Sequence, residues 1–428
     1  MKVIGIDLGT TGISGILLDA SSGEIIRTEC QNSNAFIKTE NTYERIQDVD
    51  RILSIAKGIV DSFIDGASDI SAIGITGQMH GILYVDDNGI AVSPLYTWQD
   101  GRGELPYRGT TYAQYLGSFS GYGNVTDFYN RENSLVPQGA VTYCTVHDHL
   151  AMRLTGNKRP ILHASDAASL GLYDIEKKKF AYDYTERVTD GFEIIGRYRN
   201  IPVSVAIGDN QASVFSTLAN EDDLLINIGT GSQISIVSEK VIKAENIETR
   251  PYFGGRYLTV GSALCGGRAY SALGDLYSEL FSAVGLKNID VYRVMDELLS
   301  KKSDTTLKVD TRFSGTRSDA SIRGAVYNIS TDNLTPADLT LATLYGMVEE
   351  LYGMYLSMGE TKCGIVGSGN GIRKNKALVR AAEKVFGAKV KIPRYREEAA
   401  LGAAMFALVA SGVYRSGEDV QKLIRYED

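Results

Sequence analysis

Residues 3–15 read Val3-Ile4-Gly5-Ile6-Asp7-Leu8-Gly9-Thr10-Thr11-Gly12-Ile13-Ser14-Gly15. The run is an apolar strand, a tight turn and a second apolar strand. Val3, Ile4 and Ile6 suit a buried strand, and Gly9 and Gly12 give the backbone freedom that a sharp hairpin demands. Between the glycines and the first strand lie one carboxylate, Asp7, and two hydroxyls, Thr10 and Thr11. A turn of exposed N–H groups and small hydroxyls suits phosphate oxygens. A carboxylate at the end of the first strand suits Mg²⁺, which takes one or two carboxylates together with waters and phosphates. An ordinary glycine-rich hairpin is the competing reading, because short glycine motifs decide little alone.

The stretch recurs 220 residues later as Leu225-Ile226-Asn227-Ile228-Gly229-Thr230-Gly231-Ser232 followed by Gln233-Ile234-Ser235-Ile236-Val237. Asn227 stands where Asp7 stood, Gly229 where Gly9 stood and Thr230 where Thr10 stood. The offset is about half of the 428-residue chain, which points to two related halves. Two such hairpins facing each other would clamp a triphosphate from both sides.

A chain of this length carries two or three domains. Its 43% hydrophobic and 22% charged residues are those of a soluble globular protein. A net charge of −8 argues against nucleic-acid binding and against anionic membranes, both of which need a basic face. The four cysteines, Cys30, Cys144, Cys265 and Cys363, form no Cys-x-x-Cys pair. That fits a reducing cytoplasm. Asp7 interrupts the only early apolar run, so no signal peptide is expected. The apolar run Ala399 to Val409 is too short to span a bilayer.

Periodicity predicts strands over 23–29, 70–75 and 203–207 and a helix from Val49 to Phe63 capped by Asp48. It predicts a strand pair over 82–96, an irregular insertion over 103–140, a helix from Val141 to Leu154, and another after Asp209 to Leu218. The polar run 219–223 reads as the link between halves. Beyond it come hairpins over 224–238 and 252–261 and helices near 268–284 and 289–301. A helix from Pro336 to Met358 is opened by a Thr335/Asp338 capping pattern. A strand over 363–366, helices over 374–386, 397–411 and 417–426, and a strand over 388–392 complete an alternating α/β pattern.

Several residues are candidates for chemistry. Asp209 ends a buried strand at the carboxyl side, where open α/β sheets place their ligands. It reads either as a general base toward a hydroxyl or as the N-cap of the next helix. Gln78, Met79 and His80 occupy another strand end and suit polyol recognition, or simply a satisfied loop. Trp98, with Asp100 and Arg102, suits a sugar face, or else a core ring and an ion pair. Cys144, His147 and His149 match no zinc spacing, and the stretch reads as a helix start capped by Asp148. Gly367-Ser368-Gly369-Asn370-Gly371 suits a flat ring and a phosphate at a helix start, as does Gly266-Gly267, or each is a tight turn.

In order along the chain, Gly5-Ile6-Asp7-Leu8-Gly9-Thr10, Gly77-Gln78-Met79-His80-Gly81, Gly208-Asp209-Asn210, Gly229-Thr230-Gly231 and Gly367-Ser368-Gly369 resemble the FGGY family of carbohydrate kinases. Thr97-Trp98-Gln99-Asp100-Gly101-Arg102, Val146-His147-Asp148 and Ser165-Asp166-Ala167-Ala168-Ser169 are similar to its sedoheptulokinase branch. The resemblance implies an α/β fold of two ribonuclease-H-like domains with an active-site cleft between them. Residues 1–220 would form the N-terminal, sugar-binding domain. Residues 221–428 would form the C-terminal, nucleotide-binding domain, with the last helix packing back on the first. It implies ATP and Mg²⁺, transfer of the γ-phosphoryl to a primary hydroxyl of an open-chain ketose, and a homodimer as an available assembly. By analogy Asp209 is the base and Asp7 holds Mg²⁺. Thr10, Thr11, Gly229 and Thr230 embrace the phosphates. Gly267, Gly369 and Asn370 lie by the adenosine. Gln78, Met79, His80, Trp98, Asp100, Arg102 and Asn210 lie by the sugar. The chain departs from the family by being short over 103–140, which bears on sugar identity. The alternatives are a xylulokinase or other pentulose kinase, an actin- or chaperone-like nucleotide binder, and a non-catalytic sugar sensor.

Overall fold

The strand Lys2–Leu8 pairs antiparallel with Gly12–Asp19, and that strand pairs antiparallel with Ile25–Asn32. The computed structural model in which this is seen describes residues 1–319 and 321–427. On its other side Lys2–Leu8 pairs parallel with Ile70–Gly77. A parallel neighbour needs a crossover, and the helix Val49–Gly66 supplies it. Asp48 caps this helix by accepting from the Arg51 N–H, and Val49, Ile52, Ala56, Ile59, Val60 and Phe63 form its buried face. Ile201–Ser204 and Ile207–Gly208 add to Ile70–Gly77, again parallel. The sheet order is Ile194–Tyr198, Ile201–Ser204, Ile70–Gly77, Lys2–Leu8, Gly12–Asp19, Ile25–Asn32.

A second sheet repeats this plan. Its order is Ile247–Pro251, Tyr257–Ala263, Ser232–Ser238, Asp223–Ile228, Gly364–Ser368, Val390–Lys391. Asp223–Ile228 is antiparallel to Ser232–Ser238 and parallel to Gly364–Ser368. The match extends to single positions. Asp7 pairs in register with Thr76, and Asn227 pairs with Ser368. In each sheet the polar residue before the turn thus lies beside a hydroxyl on the parallel strand. Three antiparallel strands followed by parallel ones is the ribonuclease-H-like arrangement, and the second sheet repeats its antiparallel hairpin with a parallel neighbour.

The chain divides into two compact units. The first holds Met1–Ala219, Arg250–Tyr257 and Tyr395–Arg425, and the second holds Asn220–Thr249, Leu258–Arg394 and the residues from Tyr426 on. Two segments of the span assigned above to the second domain therefore lie in the first unit. The helix Glu398–Ala410 explains one of them. It is buried from Ala400 to Leu408, so it has no solvent face. It lies so close to the first sheet that a Cβ at Gly5 would come 1.9 Å from the Ala400 carbonyl oxygen, and one at Gly74 would come 1.9 Å from that of Ala403. Gly402 touches the helix Asp209–Thr217 as closely, 1.9 Å from the Ala212 oxygen. Only glycine permits backbone to approach backbone so closely.

Several element boundaries differ from those expected. Residues 142–144 form a strand, and the helix after them is Val146–Thr155, capped by Thr145 rather than Asp148. Asp148 is the third helical residue and accepts from the Thr145 hydroxyl at 2.7 Å, a reciprocal capping pair. Asn375 splits the expected 374–386 helix into Gly369–Lys374 and Lys376–Phe386, because its side chain accepts from the N–H groups of Ala377 and Leu378. The Pro336–Met358 helix has its expected Thr335 cap. No helix among the described residues is long and apolar enough to cross a membrane.

Candidate active site

Asp209 is the first residue of the helix Asp209–Thr217, whose cap is Gly208. The carboxylate is therefore not spent as an N-cap. Gly208 pairs with Gly77 at the end of the parallel strands, so Asp209 and the Gln78-Met79-His80 loop leave the sheet side by side. Burial raises the Asp209 carboxyl above its ordinary range, while His147 and Arg250 pull it back down. Asp7 stands close enough for its charge to couple to Asp209. Burial, and then Asp209, push Asp7 up to about 7. Its Oδ1 is sealed and has no hydrogen-bond partner among the described residues. Two mutually repelling carboxyls, one with an unpartnered buried oxygen, are a donor set that a divalent cation completes. The residues present fit Mg²⁺.

The first turn is tied down by side chains. Trp98 Nε1–H donates to Thr10 Oγ1 at 2.9 Å, and the Thr10 hydroxyl donates to Gln78 Oε1 at 3.2 Å. Gln78 Nε2 donates to Gln47 Oε1 at 3.0 Å, and Gln47 Nε2 donates to the Thr10 carbonyl at 2.7 Å. Gln78 is thus a buried brace rather than an open sugar contact. Trp98 is 47% exposed and hangs over the turn by its one polar atom. Thr11 is exposed, and its carbonyl accepts from the Ser33 N–H at 2.9 Å.

Met79 is buried, and its sulfur would lie 2.8 Å from a Cβ at Gly208. His80 adopts φ +74°, a costly conformation for a side-chain-bearing residue. Its ring stacks on Tyr122 with centroids 4.1 Å apart, and its Nδ1 lies 2.9 Å from the Ser169 carbonyl oxygen. A carbonyl only accepts, so Nδ1 donates this hydrogen bond. Asn210 accepts from Arg250 at 3.2 Å. Asp100 and Arg102 depart from the sugar-side expectation. Arg102 donates to Asp100 at 2.6 Å and to Asn130 at 2.6 Å, and its guanidinium lies 4.3 Å from the Tyr96 ring centroid. Asp100 also accepts from the Arg45 N–H. Both residues are buried, and their charges cancel within the unit.

In the second unit a cavity of about 600 Å³ is lined by Gly229, Thr230, Gly267, Asn370 and Gly371. Its size suits a nucleotide-sized ligand. The floor is backbone. Gly267 N–H donates to the Gly229 carbonyl at 2.9 Å and Arg268 N–H to the Thr230 carbonyl at 3.0 Å. A Cβ at Gly267 would come 2.3 Å from the Gly229 oxygen. Tyr270, Tyr292, Arg268 and Lys374 complete the wall, with Leu344, Met347 and Leu378 behind. Rings, apolar depth and two cations answer to a base and its phosphates. Gly369 does not line the cavity. Its φ of +84° turns the chain beside Ile228 and Asn227.

Sequence reasoning assigned no role to His147, Asp166, Tyr122 or Ser169, which surround the acceptor residues. The Cys144/His147/His149 grouping comes apart. His149 Nε2 lies 3.1 Å from the Gly89 carbonyl oxygen, whereas His147 sits with Asp148 and Asp166. His147 Nε2 and Asp166 Oδ1 are 3.0 Å apart and fully buried. Burial pushes Asp148 up to about 8, drives Asp166 well above its ordinary range and lowers His147.

Two family models match the chain. The N-terminal domain of the FGGY family of carbohydrate kinases matches residues 2–107, and the C-terminal domain of that family matches residues 224–411. A sedoheptulokinase of Mus musculus is 27% identical, aligned over 95% of this chain and 97% of that protein. A xylulose kinase of Lactococcus lactis subsp. lactis is 24% identical, over 100% of this chain and 91% of that one. The structure of a ligand-bound xylulose kinase from Lactobacillus acidophilus superposes with a TM-score of 0.85, covering 100% of this chain and 93% of that one at 15% identity. At that identity the likeness concerns the fold alone.

Proposed function

The chain belongs to the FGGY family of carbohydrate kinases, an ATP-dependent enzyme family, and from that premise we propose that it phosphorylates a primary hydroxyl of sedoheptulose or a related open-chain ketose with Asp209 as general base. Membership sets aside the actin- or chaperone-like and silent-sensor alternatives. The observation that carries the assignment of the base is the position of Asp209. Its carboxylate, which accepts from the Asn210 N–H, stands at a helix start beside the strand end that presents Met79 and His80.

In this reading Asp209 takes the proton of the acceptor hydroxyl as its oxygen bonds to the γ-phosphorus. The bond from that phosphorus to the β–γ bridging oxygen breaks, and ADP departs. Arg250 and the Asn210 N–H serve by favouring the ionised carboxylate. His80 contributes to sugar recognition, Met79 packs against carbon, and Trp98 offers an apolar face. The cavity of the second unit takes ATP, with Gly229 and Thr230 toward the phosphates. Mg²⁺ held at Asp7, when bound, offsets the charge of the phosphates.

Asp209→Asn tests the base. It is expected to fold, shown by circular dichroism, and to bind ADP, yet to lose roughly 10²–10⁴-fold in turnover. Near-normal turnover removes Asp209 from the mechanism. The second reading, a pentulose kinase, is favoured by the xylulose kinase relative. ADP release measured across a ketose panel decides between them, and a clear preference for xylulose or ribulose overturns sedoheptulose.

A further inference from the structure

The two loops of the acceptor site are fastened to one short helix, Ala164–Leu170. At its start, Ser165 Oγ accepts from the Gly208 N–H at 3.0 Å, the amide just before Asp209. The same hydroxyl lies 2.9 Å from His163 Nδ1. The Ser165 N–H donates to that nitrogen at 3.1 Å, so the nitrogen is an acceptor and the hydroxyl proton points to it. Four residues on, Ser169 holds His80 twice. Its hydroxyl accepts from the His80 N–H at 3.3 Å, and its carbonyl accepts from His80 Nδ1 at 2.9 Å. The Ser169 hydroxyl in turn donates to the Asp166 carbonyl at 2.9 Å, which ties it back into the helix. Asp166, between the two serines, lies against His147. Positions four apart share a helix face about 6 Å apart along the axis.

We propose that this helix is the positioning element of the phosphoryl-acceptor site. Ser165 sets where Asp209 stands, Ser169 sets where His80 stands, and the turn between them fixes the separation of base and sugar-recognition group. The proposal rests on reading Asp209 as the base. Neither serine touches substrate, and both act through backbone that does. Tyr122, stacked on the far face of His80, completes the grip on a residue whose backbone conformation is costly.

The separation of roles makes the proposal testable with the full chain. Ser165→Ala, Ser169→Ala and Asp209→Asn are compared by ADP release, using whichever of D-sedoheptulose or D-xylulose gives the higher kcat/KM in the unaltered enzyme. Ser165→Ala is expected to lower kcat about tenfold to a hundredfold, the scale of a small misplacement of a reacting group, with ketose KM within about twofold. Ser169→Ala is expected to raise ketose KM about tenfold and to leave kcat within about threefold. The KM for ATP stays unchanged in both. A role confined to stability instead lowers the melting temperature and leaves both constants of the folded fraction alone, which overturns the proposal. So does a proportional change of kcat and KM in both variants. Should Ser165→Ala not fold, Ser165→Cys, a weaker acceptor of similar size, is expected to lose several-fold in kcat, and an unchanged kcat overturns the proposal. Near-normal turnover of Asp209→Asn overturns the base alone, since the effect of Ser169→Ala on KM still judges the helix.

Discussion

Replacing Asp7 by Asn is expected to make the protein more stable at neutral and alkaline pH while impairing it as a kinase. The carboxyl ionises at about 7 in the fold against 3.8 unperturbed. Between those values the unfolded chain has released the proton and the folded chain has kept it, so stability falls as pH rises. At 1.36 kcal/mol per pH unit the cost reaches about 4 kcal/mol above pH 7. About 1.7 kcal/mol of it is already present at pH 5. Asn carries no such charge but leaves an amide to be satisfied, worth about 1 kcal/mol at any pH. The constant part cancels when two pH values are compared. The advantage of Asp7→Asn should therefore widen by about 2–3 kcal/mol between pH 5 and pH 8, on the order of 5–10 °C in melting temperature for a unit of this size. Calorimetry or dye-monitored melting in a chelating buffer reads it. A difference that stays flat across that range, or favours the unaltered protein at pH 8, refutes the argument that burial and Asp209 hold this carboxyl in its protonated form.

Three further perturbations follow from the packing. Arg102→Met leaves Asp100 buried without its cation and is expected to cost about 3–5 kcal/mol in denaturant unfolding, where a sugar contact would cost affinity alone. Gly402→Ala forces the helix that begins at Asp209 away from its neighbour, so about 1–3 kcal/mol of stability should go together with kcat. Gly267→Ala puts a methyl group against the Gly229 carbonyl. It should raise the KM for ATP about tenfold or more, with ketose KM unchanged, in steady-state assays varying each substrate.

The two hairpins were legible because strand periodicity, glycine spacing and the 220-residue repeat are all local signals, and the Thr335 cap was legible for the same reason. Asp209 was ambiguous because a carboxylate before a helix serves equally as cap or as reagent. Only the backbone at Gly208 distinguishes them. For Asp100 and Arg102 the ion pair was one of two open readings, and what the sequence hid was its burial, since the further partners Asn130 and Arg45 come from distant sequence. His147 and Asp166 stood out only as parts of separate motifs, and their pairing did not, since 19 residues separate its two halves. The last helix was expected to pack back on the first domain, but the place of the preceding helix Glu398–Ala410 in the first unit was not legible. Buried on all sides, it has no polar stripe to show which way it faces.

That same helix bears on the order in which the protein matures on the ribosome. The sheet surface around Gly5 and Gly74 is synthesised long before the segment that roofs it at Ala400 and Ala403, which emerges roughly 330 to 400 residues later. Until then a nascent first unit carries an open, glycine-flattened apolar surface, and its completion must wait for the second unit to be translated. Chaperone dependence during synthesis, and sensitivity to truncation within 395–425, are the cellular costs of this wiring.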